Sequence, residues 1–525
     1  MTAAAVASWV FFSVVAWQKF ARVLQAERYH TDAYFGWVVQ GGGARVFFGG
    51  WPDVLLHATA FLSLSMLPMF PGWAPIPLSA AAVGWAALRF GGEKGSKKPF
   101  VYTARIKRLF AATVIVQSAL FLVAWRFFRS EGLTAAAVLA GYMEPFILAV
   151  GNVVSAPVER ALQEGFKREA RRRLAGKTVV AITGSYGKTS TKEAVAHLLE
   201  TSFPVFKTPG SFNTPMGLCK VVNESLEAHH EIIVVEMGAT RKGDVRELCE
   251  IALPSVGVVT SVGSAHMETF GSEENTAAAK FELADALPPG GALIFNSDYP
   301  LARDKARGRP QKTATYGLEA GADFTPLNIR CDRDGTTFDL KTPAGFVEGV
   351  RIRPLGRLNA LNVAAAFAVG THFGIPPDRL RRAAATLPQT QARMELMENR
   401  GSYLVINDGF NSNPVGAASA LETLSLFDGY KKILVTPGLV DLGPTQETAN
   451  FEFGQMAATH CDMVLLINER RTRPIYEGLM KGGFPPDKAA VFPSLALARV
   501  FLKDAADEKC VVLFENDLPD HMEKF

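Results

Sequence analysis

The sequence predicts an α/β protein in which N-terminal transmembrane helices precede a P-loop parallel-sheet domain and a smaller C-terminal α/β domain. Three observations predict it. Apolar residues crowd the first third of the 525-residue chain. The run Thr178 to Thr183 breaks at Gly184 into a tight loop that opens a helix. From Lys177 onward, short apolar runs alternate with amphipathic stretches, the rhythm of a mostly parallel sheet with helices on both faces. The net charge of +4 is slight and suggests no nucleic-acid partner. Cys219, Cys249, Cys331, Cys461 and Cys510 lie far apart without C-x-x-C or histidine pairing, which leaves buried free thiols and excludes a disulfide framework or zinc module.

In the first third, Thr2 to Trp17, Val54 to Phe70, Ala74 to Leu88, Leu109 to Trp125 and Leu133 to Val154 are nearly free of charge. Each approaches the roughly 20 residues a helix needs to cross a bilayer, so about five spans are expected over residues 1–158, the shorter ones tilted or re-entrant. The first is an anchor rather than a signal peptide, because Lys19 and Arg22 follow its apolar run instead of preceding it. Basic residues gather after the first, third and last stretches, as at Lys94, Lys97, Lys98 and Arg105, and Pro71 to Trp73 has no charge. By the positive-inside rule everything beyond Val154 is then cytoplasmic. Buried helices of a soluble protein are the alternative. Glu144, mid-way through the fifth stretch and next to Pro145, is either a functional intramembrane carboxylate or a residue at a helix break near the interface. Residues 159–177 form a basic linker, a solvated helix or a binder of anionic lipid.

The next element begins at Thr178. A β-branched strand leads into Gly184-Ser185-Tyr186-Gly187, and Lys188-Thr189-Ser190 opens a helix reaching Glu200. Backbone N–H groups, a helix N-terminus and a cation thus converge on an anion site. The motif is the short G-x-x-G-K-T, for which a plain glycine turn is the alternative. Val205-Phe206, Glu231 to Glu236, Val256 to Thr260 and Ala292 to Phe295 read as further strands. Ligands of such sheets sit beyond the carboxyl ends of the strands. There the chain places Asn213 and Thr214 in a polar turn, Glu236, His266 in Gly263-Ser264-Ala265-His266-Met267-Glu268, and Asn296. Lys280 follows one helix after His266. Taken singly, Glu236 reads as a helix cap, His266 as a core or surface residue and Lys280 as a solvated charge.

As a set they resemble the Mur ligases, ATP-dependent amide-forming enzymes of bacterial peptidoglycan synthesis. The resemblance rests on Gly184 to Thr189, Glu236-Met237-Gly238-Ala239, Gly263 to Glu268 and Ala279-Lys280-Phe281-Glu282. It continues through Gly356 to Asn362, Arg393-Met394-Glu395 and Asp408-Gly409-Phe410-Asn411-Ser412-Asn413-Pro414, covering about two thirds of the chain. The member that adds D-alanyl-D-alanine matches best. The resemblance implies that the Gly184 to Ser190 loop, with Lys188, holds the ATP phosphates. It implies that Thr189, Glu236 and His266 hold magnesium, and that Lys280 is carbamylated and holds a second ion. Asn296 and Asn362 fall on the adenine side, and Arg393 and Asp408 on the γ-phosphate and ribose. Asn213, Thr214, Asn411 and Asn413 face substrate. Catalysis then falls to Lys188, Glu236, His266 and Lys280.

The implied reaction forms an acyl phosphate from a muramyl-peptide carboxylate, which a dipeptide or amino-acid amine then attacks. The implied place is the bacterial inner membrane, multi-pass, with the lipid bilayer as a partner and the catalytic domains in the cytoplasm. Residues 178–386 form the central ATP-binding domain and 387–525 the C-terminal one, with Tyr403 to Ile406, Lys432 to Thr436, Asp462 to Ile467 and Cys510 to Phe514 as its strands. Phe324 to Arg353 reads as β-hairpin material, and Asn359 to Phe373 as an apolar helix. Three departures stand out. Leu358 replaces a frequent histidine, Phe514-Glu515-Asn516-Asp517 replaces a Lys-Gly-Ser run, and apolar stretches replace the family's UDP-binding domain. A lipid-linked or different acid is therefore an alternative, as in a polyglutamate-type synthase or an amidating subunit with a glutaminase partner. A P-loop ATPase energising a transporter, with Glu144 on its ion path, is the alternative from another class.

Overall fold

A computed structural model describes residues 17, 20–25, 29–39, 102–127, 143–263, 267–319, 321–332, 334–390, 392–397, 403–409, 413–440 and 442–516. The chain divides into two compact units, one up to Glu164 and one from Gly165 onward.

The first unit contains α1 (Thr31–Trp37), α2 (Ala104–Phe127) and the start of α3 (Glu144–Leu174). Trp17, Phe20, Leu24, Tyr34, Ile106, Leu109 and Leu148 form its core. Glu144 lies in the first turn of α3, fully buried, and accepts hydrogen bonds from Trp17 Nε1 and Gln117 Nε2. Arg108 and Glu159 pair through two N–H groups, which neutralises another largely buried carboxylate.

Among the described residues no helix is long and apolar enough to cross a membrane. This corrects the multi-pass placement in the bacterial inner membrane, and with it the transmembrane part of the fold class and the bilayer as a partner. The physical reason is visible in the two helices concerned. The apolar run of α2 is closed off by Arg108 and Arg126 and interrupted by Gln117 and Ser118. Beyond Val158, α3 turns charged, beginning with Glu159 and Arg160. The spans expected at Thr2 to Trp17 (Trp17 itself apart), Val54 to Phe70 and Ala74 to Leu88, and residues 133–142 of the fifth, lie outside the described residues.

The second unit opens with a parallel sheet of β1 (Thr178–Thr183), β2 (Val205–Lys207), β3 (Ile232–Met237), β4 (Val256–Val259), β5 (Ala292–Asn296) and β6 (Lys312–Tyr316), in the order β2-β3-β1-β4-β5-β6. Strand alternation explains why β1 is apolar between its terminal threonines, from Val179 to Ile182. Val180 and Ile182 enter the core on one face, and Val179 and Ala181 enter the core on the other. Burying such side chains stabilises by about 1.5–3 kcal/mol for each larger one. The crossovers are α4 (Lys188–Leu199), α5 (Pro215–Ser225), α6 (Asp244–Ala252), α7 (Met267–Phe270) with α8 (Glu273–Ala286), and α9 (Pro300–Ala306).

A meander of β7 (Thr325–Asp332), β8 (Gly335–Thr342) and β9 (Gly345–Ile352) follows, then α10 (Arg357–His372) and α11 (Pro377–Ala384). Phe338, Leu340 and Val350 of the meander share one core with α4 and α10. A second sheet has the order β10-β11-β15-β12-β13-β14, built from β10 (Glu395–Met397), β11 (Leu404–Asp408), β12 (Lys431–Thr436), β13 (Met463–Ile467), β14 (Ala489–Phe492) and β15 (Cys510–Glu515). All its pairings are parallel except that of β10 with β11. It carries α12 (Pro414–Ser425), α13 (Gln446–His460), α14 (Glu469–Lys481) and α15 (Leu495–Ala505).

Candidate active site

In the first sheet β1 lies between β3 and β4, so the chain runs outward from β1 in both directions. That switch point leaves a crevice beyond the carboxyl ends of the strands, and the loop from Gly184 to Gly187 occupies it. Gly184 has φ +152, and a Cβ there would stand 2.0 Å from Thr260 Oγ1. Only glycine permits so close an approach of the loop to the end of β4. Ser185 Oγ donates to the Gly263 carbonyl (3.1 Å), Tyr186 N donates to Ser261 Oγ (2.7 Å), and Ser185 N donates to the Ser261 carbonyl (3.0 Å). Gly187, at φ +78, caps α4 without a side chain and leaves the first N–H groups of the helix facing the loop.

Lys188 Nζ donates to the carbonyls of Gly184 (2.7 Å) and Ser185 (3.1 Å), so the ammonium lies across the loop it would share with an anion. Burial lowers its pKa from 10.5 to about 8, against an upward pull from Glu236 and with a further push down from Arg393. Thr189 Oγ1 donates to Glu236 Oε2 at 2.9 Å, and Asn213 Nδ2 donates to Glu236 Oε1 at 3.0 Å. Ser190 follows in the first turn of α4.

Lys280, on α8, is 2% exposed. Its Nζ donates to the Ala239 carbonyl at 3.3 Å and lies 5.4 Å from the centre of the Phe270 ring. Burial lowers its pKa from 10.5 to about 7, helped by repulsion from Lys188 and opposed by Asp244 and Glu282. Arg393 is close enough in charge to Glu236 and Asp408 for both to favour its cation, although burial lowers its value. Burial raises the Asp408 value, and the Met394 N–H (3.0 Å), Arg393 and a hydrogen bond from Glu515 draw it back.

Thr189, Glu193, Gly210, Ser211, Thr390 and Arg393 line a cavity of about 470 Å³ beside the loop. Asn362 accepts the Thr191 hydroxyl at 3.0 Å and lies under the Gly187 turn. Asn296, buried at the end of β5, accepts the Asp298 N–H at 2.9 Å. Thr214 and Asn413 are the N-caps of α5 and α12, accepting from Gly217 N (3.3 Å) and Gly416 N (3.0 Å). His266 and Asn411 lie outside the described residues. Among the described residues no group of three or more His, Cys, Asp or Glu is arranged to hold a metal. The oxygen donors that meet at the loop are the Thr189 hydroxyl and the Glu236 carboxylate.

Two buried residues of this region escape a reading of sequence. Lys192 follows Lys188 by one helical turn and Glu282 follows Lys280 by two residues, and a charged residue on a helix ordinarily reads as solvated. Lys192 is fully buried, and Glu282 is 6% exposed with its carboxylate accepting the Gly243 (2.6 Å) and Arg246 (3.0 Å) N–H groups. Glu282 closes the motif Ala279-Lys280-Phe281-Glu282 and Lys192 sits one turn beyond Lys188, and that placement is the signal the sequence offers for them.

Comparison with known proteins bears on this arrangement. Residues 182–370 match the Mur ligase middle domain, and residues 392–514 match the Mur ligase, glutamate ligase domain. The UDP-N-acetylmuramoyl-tripeptide--D-alanyl-D-alanine ligase of Escherichia coli is 30% identical over 322 residues, 61% of this chain and 70% of that protein. This chain belongs to the Mur ligase family. The Bacillus subtilis Mur ligase of the same name is 35% identical over 280 residues, 53% of this chain and 60% of the relative. The chain therefore spans about 60% of the length of that relative. Among solved Mur ligases, MurF from Thermotoga maritima in complex with ADP superposes with a TM-score of 0.61 at 28% identity, covering 68% of this chain and 80% of that one. The folylpolyglutamate synthase of Mycobacterium tuberculosis shares the fold at 16% identity, with a TM-score of 0.53 over 69% of this chain and 95% of its own.

Proposed function

We propose that this Mur ligase is an ATP-dependent amide ligase that works through an acyl phosphate and adds D-alanyl-D-alanine to a muramyl tripeptide in peptidoglycan synthesis. The observation that carries the reading is the convergence of Lys188, the Thr189–Glu236 pair and Arg393 at the carboxyl edge of the sheet, with Lys280 behind them. A triphosphate suits that edge. The N–H groups of the Gly184 to Ser190 loop donate to its oxygens, and Lys188 exchanges two carbonyl contacts for phosphate, which restores its charge. Asn296 and Asn362 would face the base, and Asp408 the ribose. Names and ADP-bound relatives support the nucleotide and the substrate class.

In the reaction, a carboxylate oxygen of the acid attacks the γ-phosphorus and the bond to ADP breaks. The amine then attacks the acyl carbonyl, and phosphate leaves with the electron pair of the broken C–O bond. Negative charge moves outward at each step, and Lys188 and Arg393 are the cations placed to meet it. Thr189 and Glu236, with His266, would hold magnesium, and their hard oxygen donors fit that ion; when bound, it supplies charge neutralisation at the phosphates. Lys280 fits carbamylation, because a buried amine with a value of about 7 holds a substantial neutral, nucleophilic fraction near that pH. Asn213 orients Glu236 and lies in the loop that would contact the acid, with Thr214 capping the helix behind it. Asn411 and Asn413 would contact the peptide from the second sheet.

The test is to offer the purified protein UDP-linked or lipid-linked muramyl tripeptide with D-alanyl-D-alanine and to measure phosphate release, with hydroxylamine added in parallel. Release that needs the acid, together with hydroxamate formation, is expected. ATP hydrolysis that proceeds unchanged without acid or amine would overturn the reading.

A further inference from the structure

Lys192 has no part in the chemistry described above, yet it is fully buried. An ammonium loses strong hydration on burial and persists only where its charge and donors are matched. Its Nζ donates to the Gly210 carbonyl and lies 3.2 Å from Glu193, which in turn lies 2.7 Å from Lys207 on β2. Gly210 has φ +49 in the loop between β2 and α5. From Gly210 that loop runs to Asn213, which donates to Glu236 Oε1, while Thr189 donates to Glu236 Oε2. Thr189 and Lys192 share α4. The contacts therefore close a ring from α4 through Lys192, Gly210, Asn213 and Glu236 back to Thr189.

We propose that Lys192 is a positioning residue: by pinning the Gly210 carbonyl it sets Asn213, and through Asn213 it fixes the carboxylate of Glu236 beside the Thr189 hydroxyl. The proposal rests on the reading of Glu236 as a magnesium holder. Its specificity comes from geometry. Gly210 also lines the cavity beside the loop, so releasing its carbonyl alters the metal side and the acid side together.

Lys192→Met keeps the apolar stem and removes the donor. Three results are expected. Affinity for a non-hydrolysable ATP analogue without metal stays within about twofold of wild type, since the Gly184 to Lys188 loop is untouched. Affinity for Mn²⁺ in the presence of that analogue, followed by electron paramagnetic resonance, falls about tenfold, the scale seen when a group orienting a metal ligand is lost. Amide exchange speeds up across residues 208–214 and stays unchanged in β1. Lys207→Met removes the other cation from Glu193 without touching Gly210, and it leaves Mn²⁺ affinity within about twofold. Adding Lys192→Met to Asn213→Ala costs no more than Asn213→Ala alone, because both act through one hydrogen bond. If Lys192→Met is poorly folded, Lys192→Gln is read by the same criteria. Unchanged Mn²⁺ affinity, additive losses in the double variant, or an equal loss in Lys207→Met would each overturn the proposal. These binding and exchange readouts stand even if the wild type proves not to activate a carboxylate, so failure of the functional reading is seen separately, as absent hydroxamate.

Discussion

Lys188 is held as a cation where burial opposes it, and its behaviour with pH follows. With a value of about 8, the free protein starts to lose the Lys188 proton near that pH. Bound phosphates favour the charged form. The expected result is that kcat/KM for ATP falls on an alkaline limb near pH 8, while kcat at saturating ATP holds to higher pH. Steady-state kinetics between about pH 6.5 and 9.5 checks this, and a limb that starts only above about 10 would contradict it. The sign for stability is the reverse of a salt-bridged lysine. The unfolded chain binds more protons between about 8 and 10.5, so Lys188 makes stability rise with pH across that window. Lys280 carries the second residue-scale prediction. Lys280→Ala is expected to abolish turnover in a way that excess bicarbonate does not restore, and near-normal phosphate release by that variant would remove the carbamate assignment. Lys188 and Lys280 were legible in the sequence because motifs surround them. Lys192 was not, since its burial depends on Gly210 and Glu193, contacts that no local pattern encodes.

At the scale of elements, legibility followed burial. β1 and β3 bury every or nearly every residue and could be found from apolar runs alone. β6, with the sequence KTATY and its first residues exposed, and β14, at the outer edge of the second sheet, could not. An edge strand needs only one neighbour and half a buried face, so its composition is weakly constrained. The helices that frame Lys280 show how a contact between elements matters. Glu282 of α8 accepts two N–H groups at the start of α6, where a helix has unpaired donors and the positive end of its dipole. Glu282→Ala leaves those part-buried donors without their carboxylate and is expected to cost about 1–2 kcal/mol of stability. Thermal and urea unfolding check the value, with Glu282→Gln recovering part of it because its carbonyl oxygen still accepts. A loss below about 0.5 kcal/mol would mean that water replaces the carboxylate without penalty.

At the scale of the whole molecule, composition misled where it said most. The apolar first third read as spans, but in the described part Gln117, Glu144 and Asn152 turn inward and are buried in a helical core, and the polar pattern that separates a bundle interior from a bilayer span depends on partners. The two-sheet organisation of the second unit was legible, because each sheet restarts the strand–helix rhythm. The meeting of the sheets was implied only by the family resemblance, because no pattern of apolar runs encodes it. Arg393 comes from the segment entering the second sheet and bears electrostatically on Lys188 and Glu236 of the first, with Asp408 beside it. On the proposed function, Arg393 would bring a cation from the second domain to phosphates held by the first, so turnover would depend on both while nucleotide binding would depend mainly on the Gly184 to Lys188 loop. Arg393→Ala is therefore expected to lower kcat by about 10²–10³, the cost of removing one preorganised group that stabilises transferred charge. Its effect on the affinity for an ATP analogue, measured by calorimetry, is expected to stay within about fivefold. The reverse split, lost affinity with kcat intact, would place Arg393 in ground-state binding and remove the second sheet from the chemical step.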